Sequence, residues 1–260
     1  VPFPPASIEL IKNIVKTKFD AAIDFIQEHE PDEGYFLGFS GGKDSVVLYD
    51  VVVKSGVKFK AYYSATGIDP PEIVRFIRKE FPDIEFKYPK RSFFAELKRR
   101  GFPTRGARWC CDFLKKEPTY SIPLYHRLMG IRAEESYKRK NRGKINKFGK
   151  FIIYSPLFDW KFRELWMYID LNRLPYCSLY DVGFDRLGCV ICPFICSKDK
   201  KVVDIHKKRW PRQYKAFEKA MYILWEKKEH IRQEKFGYSN SFDEFLDNWY
   251  MGVRGGDESR

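Results

Sequence analysis

Residues 35–53 read Tyr35-Phe36-Leu37-Gly38-Phe39-Ser40-Gly41-Gly42-Lys43-Asp44-Ser45-Val46-Val47-Leu48-Tyr49-Asp50-Val51-Val52-Val53. Two apolar runs flank a glycine-rich hexapeptide. The first run is short enough for a buried strand and the second reads as a helix, with a tight turn between them. Such a turn leaves backbone N–H groups free at the start of a helix, where they attract phosphate. Paired glycines let an anion approach the backbone without a Cβ in the way. Lys43 adds a full charge, and Ser40 and Ser45 add hydroxyl donors. The spacing is not that of a Walker A loop, which places four residues between its first Gly and the Gly-Lys pair. The alternative is a Gly-Gly turn that binds nothing.

The rest of the chain alternates in the same way. An amphipathic helix over 6–29 carries Ile8, Ile11, Ile14, Val15, Phe19, Ala22, Ile23 and Ile26 at helical spacing. Strands are expected at 34–39, 59–63, 84–88, 124–131 and 151–154, with a helix over about 44–54 and another starting at Pro70-Pro71-Glu72. This order predicts an α/β fold, a Rossmann-like parallel sheet sandwiched by helices. Ligands of such sheets bind beyond the carboxyl ends of the strands, where the glycine loop falls. After residue 160 the texture changes to helical segments rich in Trp, Tyr and Lys, at 160–171, roughly 199–235 and 242–250. Trp160 and Trp166 are expected on one helix as core packing. The expected division is a nucleotide-binding α/β domain over 1–160 and a mainly helical C-terminal part over 161–260.

With 260 residues, 44% hydrophobic and 17% aromatic, the chain has the composition of a folded protein. No apolar run approaches the roughly 18–20 residues of a membrane span, and residues 1–5 lack the features of a signal peptide. A cytoplasmic protein without a membrane partner is the expectation. The net charge of +13, from 48 Lys and Arg against 35 Asp and Glu, suits a polyanionic partner or simply a well-solvated surface. Residues 138–150, KRKNRGKINKFGK, hold seven cations and no acid. They are expected to form a solvated or phosphate-facing loop. A second basic stretch, His206 to Lys215, mixes cations with Trp210 and Tyr214. It suits base stacking, or equally a helix start with its Trp packed inward. His126, His206 and His230 lack ligand spacing.

Six cysteines occur: the vicinal pair Cys110 and Cys111, then Cys177, Cys189, Cys192 and Cys196. Cys189-Val190-Ile191-Cys192 has the two-residue spacing that lets both sulfurs face one metal centre. Four thiolates hold a [4Fe–4S] cluster or one zinc. Two sets are open: Cys110, Cys111, Cys189 and Cys192, or Cys177, Cys189, Cys192 and Cys196. Buried, inert cysteine is the remaining alternative.

The hexapeptide Ser40–Ser45 matches SGGxDS, the pyrophosphate loop of adenine-nucleotide α-hydrolases. Three further segments join it: Arg108-Trp109-Cys110-Cys111-Asp112-Phe113-Leu114-Lys115, Gly130-Ile131-Arg132-Ala133-Glu134-Glu135-Ser136, and Gly188-Cys189 to Cys192-Pro193. With them the chain resembles the phosphoadenosine phosphosulfate (PAPS) reductase family. The resemblance implies the adenine-nucleotide α-hydrolase sheet. It also implies a [4Fe–4S] cluster on Cys110, Cys111, Cys189 and Cys192, with zinc as the lesser alternative. It departs from the family at Ala65-Thr66-Gly67-Ile68-Asp69, where Asp-Thr-Gly is usual, leaving Asp69 as a possible substitute. It departs again after Cys196, where no Glu-Cys-Gly-x-His tail follows.

Without a tail thiol, sulfite release lacks its nucleophile, so the expectation is a non-reductase branch. That branch includes proteins similar to the ATP-pyrophosphatase component of DNA phosphorothioation systems. In this reading the cofactors are ATP, Mg²⁺ and the cluster. The partners are a nucleic acid, DNA favoured over RNA, and a cysteine desulfurase or other sulfur donor, with homo-oligomerisation left open. Ser40, Gly41, Gly42 and Ser45 cradle the β and γ phosphates, and Lys43 offsets charge on the leaving pyrophosphate. Asp44 meets Mg²⁺ or the loop amides. Arg132 contacts phosphate, or pairs with Glu134 or Glu135. Arg105 and Arg108 stabilise the cluster or bind substrate phosphate. Sulfonucleotide reduction, tRNA thiolation and a non-catalytic binding module are the other readings.

Overall fold

A computed structural model describes residues 5–194, 200–227 and 241–251. Chain contacts divide it into two compact units that interleave along the sequence. One takes residues 1–64, 71–87 and 121–187; the other takes 65–70, 88–120 and 188–260. This differs from the expected division at residue 160, because the chain leaves the sheet twice and returns to it after each excursion.

The first unit is built on a six-stranded sheet. Its strands are β1 (Tyr35–Phe39), β2 (Phe59–Ser64), β3 (Glu85–Lys87), β4 (His126–Met129), β5 (Ile145–Phe148) and β6 (Phe151–Tyr154), in the order β3-β2-β1-β4-β6-β5. All neighbours are parallel except β5 and β6, which pair antiparallel, Ile145 opposite Tyr154 and Phe148 opposite Phe151. The wholly parallel sheet expected from the sequence is therefore a mixed one. The basic block is no plain loop either. It holds a short helix, Tyr137–Lys140, and the edge strand β5. The hairpin from β5 to β6 is too short for a crossover, so the polarity must reverse.

Strand β1 is almost wholly buried, and its Leu37 has no exposed surface. Helix α1 (Pro5–Glu28) lays Val15, Ala22 and Ile26 against the core, and Tyr35 Oη donates to the Ile26 carbonyl at 3.0 Å. Helix α2 (Lys43–Ser55) buries Val46, Val47, Leu48, Val51 and Val52 and ends at Gly56 in the left-handed conformation. Full burial of each such side chain is worth about 1.5–3 kcal/mol. Helix α3 (Pro71–Glu80) presents Ile73 and Ile77. Another helix, Phe162–Asn172, packs on α1 and α2. Trp160 precedes that helix instead of lying on it, yet it is core as expected, 2% exposed.

The second unit is helical. Ser92 caps the helix Phe93–Arg100 by accepting from the Ala95 N–H. The run Trp109–Cys111, a π-helical turn Asp112–Lys116, and Glu117–Tyr120 follow. Then come Lys200–Arg209, Pro211–Lys227 and Phe242–Met251. The helical stretch expected over roughly 199–235 is two helices parted at Trp210-Pro211, since proline lacks the N–H and clashes with the preceding turn; its residues 228–235 lie outside the described ones. Trp210 is buried against His206, ring centroids 4.9 Å apart, so the second basic stretch is a helix start with its Trp packed inward. Among the described residues no helix is long and apolar enough to cross a membrane.

Candidate functional site

The order of the sheet locates a site in the first unit. From β1 the chain runs outward to β2 and β3, then returns to place β4 on β1's other side. The connections leaving β1 and β4 therefore part in opposite directions, opening the crevice where doubly wound sheets bind ligands. The loop Ser40–Ser45 leaves the carboxyl end of β1, and Gly130-Ile131-Arg132 leaves the carboxyl end of β4. Two segments far apart in sequence meet for this reason.

The loop is braced by its own hydroxyls. Ser45 Oγ donates to the Gly42 carbonyl at 2.8 Å and accepts from the Ser40 N–H at 3.2 Å, while the two serine hydroxyls lie 3.1 Å apart. Gly41 has φ +73, and a Cβ there would sit 2.8 Å from Ile73 Cγ2. Both the left-handed turn and the packing of α3 thus require glycine. Gly130 is needed for another reason: its Cβ would lie 3.0 Å from the Asp44 carbonyl. The Lys43 N–H donates to Tyr180 Oη at 3.0 Å. Tyr180 was not singled out by the sequence. Its hydroxyl lies where an amide would otherwise be free for an anion, and burial above all pushes its pKa up.

Charge is concentrated around this loop. The buried Lys43 ammonium lies 3.2 Å from Asp44 Oδ2, and over the rings of Phe162 and Tyr180 at 5.3 and 5.7 Å. Arg132, also buried, donates from Nε to Asp44 Oδ1 at 2.5 Å and from Nη1 to Glu134 at 2.6 Å and the Trp160 carbonyl at 3.2 Å. The pairing with Glu134 is thus present, and the partner that sequence reasoning missed is Asp44. Both Asp44 oxygens are taken by cations, so as it stands Asp44 anchors charge and is no open metal ligand. Burial raises the Glu134 carboxyl, but hydrogen bonds from Arg132 and the Phe162 N–H outweigh it, and its pKa falls. Glu135 accepts from the Arg132 N–H and pairs with Arg139. Burial, then the nearby charges of Arg186, Arg142 and Arg132, lower the pKa of Arg139, opposed by Asp44. Five cations therefore gather with three carboxylates, a surplus suited to a polyphosphate.

In the second unit the predicted cysteines Cys110, Cys111, Cys189 and Cys192 come into one neighbourhood. Cys110 is pushed up by its hydrogen bond to Cys111 and by burial, and feels the charges of Cys111, Cys192 and Cys189. Cys111 is drawn down, first by that hydrogen bond, with Arg108 and Lys115 assisting against burial. Burial raises Cys189 to about 11, opposed by Lys115, with Asp69 and Cys192 adding to the rise. The ammonium of Lys115 is in turn stabilised by Cys189 first, then by Asp69 and Cys111, against burial. Asp69 accepts from the Thr66 N–H at 2.8 Å and lies 3.8 Å from Cys189 Sγ, so it belongs with the cysteines. The Val190 N–H donates to the Ile68 carbonyl at 2.8 Å and ties the two segments together.

A half-buried vicinal pair, a facing Cys-x-x-Cys and the nearby cations Lys115 and Arg108 form a donor set suited to an anionic iron–sulfur centre. Arg105 supplies a further sign. Its Nε donates to the Pro193 carbonyl at 2.9 Å, while its buried Nη2 has no hydrogen-bond partner among the described residues. A buried donor left unpaired calls for an acceptor. Even so, no group of three or more His, Cys, Asp or Glu among the described residues is arranged to hold a metal ion as it stands. Cys177 is buried in the first unit and its carbonyl accepts from the Tyr180 N–H at 3.1 Å. Cys196 and His230 lie outside the described residues.

Comparison with known proteins bears on both sites. An uncharacterized protein of Methanocaldococcus jannaschii is 29% identical over 216 residues, 76% of this chain and 41% of that protein. Another from the same organism is 33% identical over 60% of this chain and 40% of its own length. The chain thus spans about two fifths of these relatives. Adenosine 5'-phosphosulfate reductase of Bacillus anthracis is 27% identical over 64% of this chain and 77% of that enzyme. Among solved structures, phosphoadenylyl-sulfate reductase from Candida auris, a phosphate complex, has TM-score 0.52 and 20% identity over 73% of this chain and 97% of that one. Candida glabrata FMN adenylyltransferase, with FMN and the ATP analogue AMPCPP, has TM-score 0.53 and 16% identity over 73% and 68%. These likenesses establish an adenine-nucleotide α-hydrolase-like α/β fold. Residues 34–194 match the phosphoadenosine phosphosulfate reductase domain, a span that takes in the loop, Arg132 and all four clustered cysteines. The chain belongs to the phosphoadenosine phosphosulfate reductase domain family.

Proposed function

We propose that the chain is an ATP pyrophosphatase that activates a nucleic-acid oxygen for sulfur insertion, as in DNA phosphorothioation. The observation that carries this reading is the loop Ser40–Ser45 facing Arg132 across the switch point of the sheet, with a surplus of arginine around it. An oxygen of the substrate attacks the α phosphorus, the bond from that phosphorus to the bridging oxygen breaks, and pyrophosphate leaves. Loop amides and the Ser40 and Ser45 hydroxyls hold the departing phosphates, replacing the bonds the serines now make to one another. Lys43 and Arg132, fixed by Asp44, offset the charge that builds on pyrophosphate. With both Asp44 oxygens paired to Lys43 and Arg132, the nucleotide's own phosphates would be the main ligands of a Mg²⁺ ion, which would offset their charge.

Cys110, Cys111, Cys189 and Cys192 would hold the iron–sulfur centre, with Lys115, Arg105 and Arg108 balancing its charge. When bound, such a centre supplies a structural tie or a place to carry sulfur. A cysteine desulfurase or similar donor would deliver that sulfur. The test is product analysis with α-labelled ATP and an oligonucleotide. AMP and pyrophosphate that disappear in Ser40→Ala support the reading; ADP as the product refutes it. Iron and sulfide assays on anaerobically purified protein, with Cys111→Ala as control, test the ligand set.

Sulfonucleotide reduction is the second reading, favoured by the adenosine 5'-phosphosulfate reductases among the relatives. Thioredoxin-dependent release of sulfite by the purified chain would establish it. Thiolation of tRNA is a variant of the first reading, separated by which polymer stimulates AMP formation.

A further inference from the structure

The basic block contains more than charge. It begins at the nucleotide loop, where Arg139 lies within electrostatic reach of Asp44 and Arg132. It then passes through the Tyr137–Lys140 helix and along β5, an edge strand of the sheet. The pairing of Ile145 with Tyr154 and of Phe148 with Phe151 shows its direction. Strand β5 therefore starts at the carboxyl end of β6, the same end of the sheet as the loop, and runs to the opposite end.

Large apolar side chains stand exposed along this course. Tyr137 is 78% exposed, Phe148 55% and Ile145 44%. At the far end Lys150 lies 5.3 Å from the ring centres of Tyr125 and Phe151, and Tyr125 is itself 42% exposed. Between these rings most of the cations lack an acidic partner among the described residues. Lys138, Lys140, Arg142 and Lys147 form no ion pair with any described residue, while Arg139 pairs with Glu135 and Lys144 with Asp159. Lysines alone would protect a sheet edge from pairing with another chain. Exposed rings do not serve that end, since they make the edge stickier.

Cations that track a phosphodiester backbone, interleaved with rings on which bases stack, match the chemistry of an unpaired nucleic-acid strand. A duplex hides the faces of its bases and has no use for the rings. We infer that the Tyr137–Lys150 hairpin is a docking track for single-stranded nucleic acid, leading from the far edge of the sheet to the nucleotide loop. The inference rests on the proposed function for the idea that the substrate is a nucleic acid. It adds the surface and the unpaired state of the strand.

Fluorescence anisotropy with labelled 20-nucleotide single strands and the matching duplex tests it on the full chain. The wild-type protein should bind the single strand more tightly than the duplex, and more weakly as salt rises. Tyr137→Ala with Phe148→Ala should weaken single-strand binding roughly tenfold, as expected for lost stacking. Lys140→Glu with Lys147→Glu should weaken it further and flatten the salt dependence. These side chains are exposed, so circular dichroism should show all variants folded. Duplex binding as tight as single-strand binding overturns the inference, as does an aromatic variant within twofold of wild type. ATP cleavage by the wild-type protein is assayed alongside. AMP formation with variant binding unchanged sinks the track and leaves the ATP reading standing. Hairpin-dependent binding without AMP formation does the reverse.

Discussion

Replacing Arg132 by methionine removes a guanidinium that is 5% exposed and bonded to Asp44, Glu134 and the Trp160 carbonyl. Methionine fills much of the same volume, so the loss falls mainly on the partners. Stripping one member from a buried ion pair costs about 3–5 kcal/mol, because the other charge is left without compensation. Asp44 and Glu134 retain 21% and 39% side-chain exposure, so water repays part of that cost. The expected loss is therefore near the lower end, about 3 kcal/mol. Urea unfolding of wild type, Arg132→Met, Asp44→Asn and the double variant measures it as a cycle. The two changes should be non-additive by about 1–3 kcal/mol, since each removes the other's partner. Arg132→Lys should recover part of the loss, as one ammonium cannot span two carboxylates and a carbonyl. A loss below about 1 kcal/mol for Arg132→Met, or simple additivity, would show that these contacts are no more than a solvated surface pair.

Two further outcomes are expected. Glu96 is fully buried among Arg91, Arg99 and Arg100, and its carboxyl is drawn down to about 2, chiefly by the hydrogen bond from Arg99. Its contribution to stability is complete above the unfolded value of 4.5 and vanishes as pH falls from there toward 2. Melting curves across that window should show wild type losing stability on acidification more steeply than Glu96→Gln. Tyr180→Phe removes the acceptor from the Lys43 N–H, a bond worth about 1 kcal/mol. The freed amide then serves the ligand, so ATP titrated calorimetrically should bind no more weakly than to wild type. A tenfold loss would make the Tyr180 hydroxyl a ligand of the nucleotide.

What the sequence revealed and what it hid divide along physical lines. The strand–loop–helix of residues 35–53 is legible because its signals are local: a short apolar run, a forced turn and an amphipathic repeat. The same holds for the cysteine pairs, whose spacing is itself the signal. Partners set by topology were hidden. Asp44 and Arg132 meet through the return of the chain to β4, and nothing near either residue announces the other. Tyr180 reaches the loop from a stretch of turns without a motif. Strand β5, Ile-Asn-Lys-Phe, has too few apolar residues to show a period of two, and its polarity depends on a hairpin too tight for a crossover. The interleaving of the two units was likewise unreadable, because each excursion from the sheet looks in sequence like another connection.

The claim on which the account depends is that the Ser40–Ser45 loop holds nucleotide phosphates against its backbone. Gly42→Ala tests it most directly. Gly42 has φ −83 and ψ 158, which any residue adopts, and a Cβ would touch Ser40 Oγ at 3.4 Å and Tyr180 Oη at 3.5 Å, ordinary contacts. The variant should fold with stability equal to or slightly above wild type. Its methyl group nevertheless stands between the two hydroxyls that flank the loop, in the space a phosphate needs. Calorimetric titration of a non-hydrolysable ATP analogue should show micromolar-range binding by wild type and at least a tenfold loss in Gly42→Ala, on the order of 1.4 kcal/mol. Equal affinities in the two proteins, or no binding by wild type, would contradict the account.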